Sequence, residues 1–195
     1  MIPQPMSRQQ LSHATSANAL TAPMVLVAAL ICGDWLMSSM MLHMFVQLPL
    51  LFAGGVLTTI MYTRPQKPTW VPIIPAFVFA TGIVTTWMIP RALDAAVEQS
   101  VINTIKVISL VIAGRLAARA WQQASTIVRT FVAGNTVWMS ASAGMLFLDA
   151  PARLCTSYGR GEQQQVGIAL IAATILGTAL GVWRLSSRSA STVRE

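Results

Sequence analysis

Residues 100–120 read SVINTIKVISLVIAGRLAARA, an apolar run broken near its start by Lys106 and near its end by Arg115 and Arg119. A helix rises about 1.5 Å per residue, so a run of this length crosses roughly 30 Å, the hydrocarbon core of a bilayer. Four further runs of similar character flank it: Ser39–Tyr62, Pro72–Ile89, Thr130–Leu148 and Val166–Trp183. Pro65-Gln66-Lys67-Pro68 and Gly159-Arg160-Gly161 separate neighbouring runs, as helix breakers do. Pro49 falls inside the second span and predicts a kink there, which membrane helices tolerate.

A shorter apolar run, Ala19–Cys32, ends at Gly33-Asp34. A secretory signal is the rival reading. Only Arg8 supplies a basic n-region, however, and no small-x-small pattern precedes Asp34, so the run is expected to stay as an uncleaved span. The expected organisation is a polar arm at residues 1–18, a six-helix transmembrane domain at 19–184 and a basic tail at 185–195.

Composition agrees. Of 195 residues 54% are hydrophobic and 10% charged, with a mean hydropathy of +0.61. Soluble domains carry about 25% charged residues. The net charge of +7 comes from scattered basic residues without basic-aromatic interleaving, so nucleic acid is not the expected partner. Two cysteines, Cys32 and Cys155, are too few for a disulfide scaffold or a four-cysteine zinc site.

Charge placement predicts orientation. With the N-terminus inside, cytoplasmic segments hold Arg8, Arg64, Lys67, Arg115, Arg119, Arg129, Arg184, Arg188 and Arg194 against Glu195 alone. The opposite face holds Arg91, Lys106, Arg153 and Arg160 against Asp34, Asp94, Glu98, Asp149 and Glu162. That asymmetry follows the positive-inside rule for an all-α bundle of about six spans with both termini cytoplasmic.

On this layout the soft and polar residues gather extracytoplasmically. Met37, Met40, Met41 and Met44 share one helical stripe, with His43 beside it. Thioether plus imidazole is a ligand set for Cu(I), so His43, Met40, Met44 and Met88 form a candidate metal group. The commoner use of such a stripe is core packing, and of such a histidine an interhelical hydrogen bond. Cys32 and Cys155, on the same side, are open to disulfide, ligand or inert roles. Lys106, about 9 Å below the boundary, is either functional or snorkels towards Glu98, Asp94 or Asp149. Gln163-Gln164-Gln165 is suited to satisfying helix-end hydrogen bonds.

Three segments resemble the CtaG family, multi-span factors associated with assembly of caa3-type cytochrome c oxidases. Trp87-Met-Ile-Pro90-Arg-Ala-Leu-Asp94-Ala95-Ala96 is similar to its W-H-x-P-x-x-x-D-A-A stretch. His43-Met44-x-x-Gln47-x-Pro49-Leu-Leu is similar to an H-M-x-x-H-M helix followed by Pro-Leu-Leu. Glu162-Gln163-Gln164-Gln165-Val166-Gly167 is similar to a D-Q-x-x-x-G start of a late helix. The chain departs from the pattern at its histidines. Met88 stands for the W-H-x-P histidine, Gln47 for a second histidine, and Asn103, Lys106 and Val107 fall on an H-x-x-E-H spacing.

The resemblance implies a membrane factor, in a bacterial inner membrane, that assists copper delivery to an oxidase or related copper enzyme. The lost histidines motivate an alternative: an accessory subunit of a respiratory or other membrane complex, without metal. Gly54-Gly55, Gly114, Gly134 and Gly177-x-x-x-Gly181 suit close helix approach. A transporter or channel has less behind it, with no broken-helix pair or inverted repeat in the sequence. No Ser-His-Asp set, nucleotide loop, paired catalytic carboxylates or CxxC is present, so no enzyme is expected.

Overall fold

The computed structural model describes residues 24, 27–29, 31–62, 71–150 and 154–192. Described residues form helices: α1 Gly33–Leu36, α2 Met40–Leu42, a π-helical turn His43–Gln47, α3 Leu48–Tyr62, α4 Ile73–Met88, α5 Pro90–Glu98, α6 Ser100–Gln123, α7 Thr126–Asp149 and α8 Arg160–Thr192. Four stretches are long and apolar enough to cross a membrane: Met40–Ile60, Ser100–Gln123, Thr126–Asp149 and Arg160–Trp183. A fifth is reached only by counting α4 and α5 together, although they meet at 73°. The described residues thus account for four or five of the expected spans. Most of the Ala19–Cys32 run, the polar arm and the Pro65–Pro68 connector lie outside them.

The break after α4 has a local cause. Proline disfavours helical backbone in the residue before it. Ile89, preceding Pro90, is extended (φ −72°, ψ 126°), and Pro90 starts α5 where its missing N–H costs nothing. Pro49 acts one turn upstream of itself. Its ring cannot donate to the Phe45 carbonyl, and the preceding turn widens so that the Leu48 N–H reaches back to His43 O. The expected kink is therefore a π turn, and it carries His43 and Gln47 on one face.

Two packed groups result. α6 lies against both α3 and α4, while α7 pairs with α8. The α3–α6 contact depends on two glycines. A Cβ on Gly55 would meet the Val111 carbonyl oxygen, and one on Gly114 would meet the Phe52 carbonyl oxygen. Gly144 and Gly167 play the same reciprocal part between α7 and α8, each Cβ position lying about 3 Å from the other's carbonyl oxygen. Gly134, Gly177 and Gly181 have open space beside them, so the sequence pattern over-counted close contacts.

The groups meet mainly at one end. There Met40, Met44, Leu93, Phe147, Cys155, Tyr158, Val166 and Leu170 form a buried cluster. Outward faces are apolar, with Ile108, Phe131, Trp138, Ile175 and Leu176 exposed, as lipid contact requires. α8 continues to Thr192, so residues 185–192 of the basic tail extend a helix. This is a multi-pass helical membrane protein.

Candidate functional site

The clustered end holds the buried polar residues His43, Gln47, Asp94, Lys106 and Gln163, with Tyr158 among them. Burying such groups is costly unless each finds a partner. Lys106, wholly buried on α6, directs Nζ at His43 Nε2 (2.8 Å), Gln47 Oε1 (2.9 Å) and Met37 Sδ (3.7 Å). An ammonium carries three hydrogens, and three uncharged acceptors meet them. The π turn makes this possible by presenting His43 and Gln47 together.

The chain continues through the imidazole. His43 Nδ1 lies 2.8 Å from Tyr158 Oη, and the Tyr158 hydroxyl donates to Met37 O at 2.9 Å. Because the phenolic hydrogen is directed to Met37, the Nδ1–H of His43 is the donor to Tyr158, leaving Nε2 to accept from Lys106. Tyr158 sits in the 154–159 loop. Burial first, then the charges of Cys155, Glu162 and Asp94, push its phenol above the usual value. Among the described residues the arrangement holds a cation without a carboxylate, and each group donates to the next as far as the Met37 carbonyl.

A second set of bonds secures that loop. Asp94 Oδ2 accepts from Thr156 N (2.7 Å) and Thr156 Oγ1 (3.1 Å), and Oδ1 accepts from Ser157 N (3.1 Å). Gln163 Oε1 accepts from Leu154 N while its Nε2 donates to Phe147 O, tying the loop to the end of α7. Trp87 Nε1 donates to Ser109 Oγ, whose hydroxyl donates to Lys106 O. The Trp87 and Asp94 positions of one quoted motif thus brace α6 and the loop respectively.

Several expectations change here. Lys106 does not snorkel: its partners are His43, Gln47 and Met37, whereas Glu98 and Asp149 are exposed and Asp94 is engaged with the loop. The copper group does not fit as arranged, because both His43 ring nitrogens are engaged and an ammonium stands at Nε2. Met40 and Met44 pack in the apolar cluster, with Met88 partly buried against it. Among the described residues no three of His, Cys, Asp and Glu gather closely enough to hold a metal ion. Cys32 is exposed, whereas Cys155 is buried with its thiol 3.8 Å from Pro90 O, so the two occupy different surroundings. Gln163 fulfils the helix-end role; Gln164 and Gln165 are exposed. Tyr158 and the Met37 carbonyl were not foreseen. The signal for Tyr158 was a polar-tipped aromatic beside Gly159 in the loop joining two spans.

Fold and site define a polytopic helical membrane protein with a buried lysine–imidazole–phenol chain at one end. The chain belongs to the family described as "Protein of unknown function (DUF1404)", whose model matches residues 21–182. No curated protein and no solved structure matches it.

Proposed function

We propose that this protein is a metal-independent accessory subunit of a membrane complex, a respiratory one on the CtaG resemblance. One observation carries the reading. The Lys106 Nζ stands where acceptor atoms of His43, Gln47 and Met37 converge. Nitrogen, oxygen and sulfur directed at one point would suit a metal ion, and here a protein cation occupies that point. The quoted motif residues Trp87, Asp94 and Gln163 are hydrogen-bonded into the frame around it, which suits a scaffold. The charge asymmetry of the sequence supports six spans, cytoplasmic termini and a site facing away from the cytoplasm of a bacterial inner membrane.

Purification from the native membrane in a gentle detergent, with metal analysis and identification of co-purifying proteins, tests the reading. A fixed membrane-protein partner and no stoichiometric copper are expected. Near-stoichiometric Cu(I) lost in a Met40→Leu/His43→Ala/Met44→Leu variant would restore the copper-delivery reading instead. A monomer without partner in native membranes would remove the accessory role.

A further inference from the structure

Between the two packed groups runs an apolar cleft of about 600 Å³. Its walls come from α3, α4, α6 and α7, including Leu48, Ile60, Ala80, Ala117, Trp121 and Ser140. Along α6 it runs from Leu110 to Gln122, twelve residues or about 18 Å at the helical rise, with Met44 and Leu170 at its inner end. Half of a roughly 30 Å hydrocarbon core is ~15 Å, so the cleft is about as long as one lipid chain in one leaflet. Of the hydroxyls in its lining, Thr136 Oγ1 donates to Val132 O within α7.

The end of the cleft away from His43 is basic. Arg129, in the first turn of α7, donates through Nε to Trp121 O (3.0 Å) and through Nη2 to Gln122 O (3.4 Å). Trp121 and Gln122 both line the cleft, and the guanidinium lies over the Trp121 ring at 5.8 Å. Those contacts fix Arg129 beside the cleft and, among the described residues, leave Nη1 without a hydrogen bond. Arg115 and Arg119, near the end of α6, add positive potential on the same side of the bundle.

We propose that this cleft binds a single anionic phospholipid, with one hydrocarbon chain between the helix groups and its phosphate at Arg129. Length, apolar lining and a basic mouth beside an interfacial tryptophan match the two chemically distinct parts of such a lipid. The inner end of the cleft reaches Met44 and Met88 beside the Lys106 cluster, whereas Arg129 lies at the opposite end, and the test is independent of any partner complex.

Native mass spectrometry of the full-length protein, titrated with phosphatidylglycerol and separately with phosphatidylcholine, provides the test. The wild type should retain one phosphatidylglycerol to higher collision energy than phosphatidylcholine. Ala117→Phe, which fills the cleft, should lose the retained adduct. Arg129→Gln, outside the packed core, should keep the fold and weaken phosphatidylglycerol retention about fivefold, the weight of one basic residue at a lipid surface. It should leave phosphatidylcholine unaffected. Equal retention of the two lipids by wild type, or unchanged phosphatidylglycerol retention in Arg129→Gln, overturns the proposal whether or not Ala117→Phe folds.

Discussion

Lys106 Nζ lies 2.8 Å from His43 Nε2, across 63 residues of sequence and with no carboxylate among the lysine's three partners. Ordinary membrane lysines escape to the interface. This one is held inside by acceptors on another helix, so each residue depends on the other for satisfaction. Lys106→Met removes a buried cation but leaves His43 Nε2 and Gln47 Oε1 without their donor, a cost of about 1–3 kcal/mol for an unpaired buried group. His43→Leu should cost a similar amount. The double variant should be less unstable than the sum of the two, with a coupling of roughly 0.5–3 kcal/mol, measured by reversible unfolding in mixed detergent. Simple additivity would break the energetic link.

Removing the ammonium also empties the point on which those three acceptors converge. Lys106→Ala should gain Cu(I) binding over the wild type, and Lys106→Ala/His43→Ala should lose that gain. Isothermal titration under reducing conditions reads both. A Lys106→Ala protein indifferent to Cu(I) would show that the convergence is too loose for a small cation.

The paired glycines give a steric prediction with built-in controls. Gly55→Ala or Gly114→Ala drives a methyl group into a carbonyl of the facing helix. Each should cost at least about 1–3 kcal/mol, as overpacking does, or prevent accumulation in the membrane. Gly134→Ala and Gly177→Ala have open space at the same atom and should behave as the wild type. Thermal unfolding of all four variants separates close packing from a general intolerance of glycine replacement.

Asp94→Asn keeps the shape of the side chain but turns one acceptor into a donor facing amide hydrogens. Bonds to a charged group are worth about 1.5–3 kcal/mol, so the 154–159 loop should loosen. Hydrogen exchange at Thr156 and Ser157 should speed up while α6 is unchanged. Equal protection in variant and wild type would mean that the carboxylate does not hold the loop.

Tyrosine ionises near pH 10 in an unfolded chain. Burial keeps the Tyr158 proton on to higher pH in the folded protein. Its contribution is therefore whole below about pH 10 and is lost as pH rises towards the folded value, because the unfolded chain releases its proton first. The melting temperature should fall above about pH 10, and fall less in Tyr158→Phe. Tyr62, present in both proteins, cancels. A parallel decline in the two would assign the alkaline instability to other groups.

Length and hydropathy were enough to read α6 and the spans around it, since crossing a bilayer leaves little choice of structure. The end at which the chemistry collects was legible too, from His43, Asp94 and Lys106 as separate candidates. Their partners were not. For Lys106 the sequence offers only acids as partners, because charge complementarity is the one pairing visible in one dimension; the π turn that presents His43 and Gln47 depends on the amide hydrogen Pro49 lacks. Tyr158 carries no periodic signal, being a loop residue placed by Asp94 and Gln163. Gly144 and Gly167 escaped notice because an x-x-x spacing within one helix says nothing of reciprocal glycines on two.

The site is finished from the wrong end of the gene. Tyr158 follows His43 by 115 residues, and Thr156 follows Asp94 by 62. At typical synthesis rates that first interval lasts on the order of ten seconds. Throughout it the His43 ring N–H waits for its partner, and over the later 62 residues the Asp94 carboxylate waits as well. Release of the final hairpin is therefore the step that seals the bundle, and a chain stopped at Asp149 would leave a buried cation site open on one side, a lesion for membrane quality control to recognise.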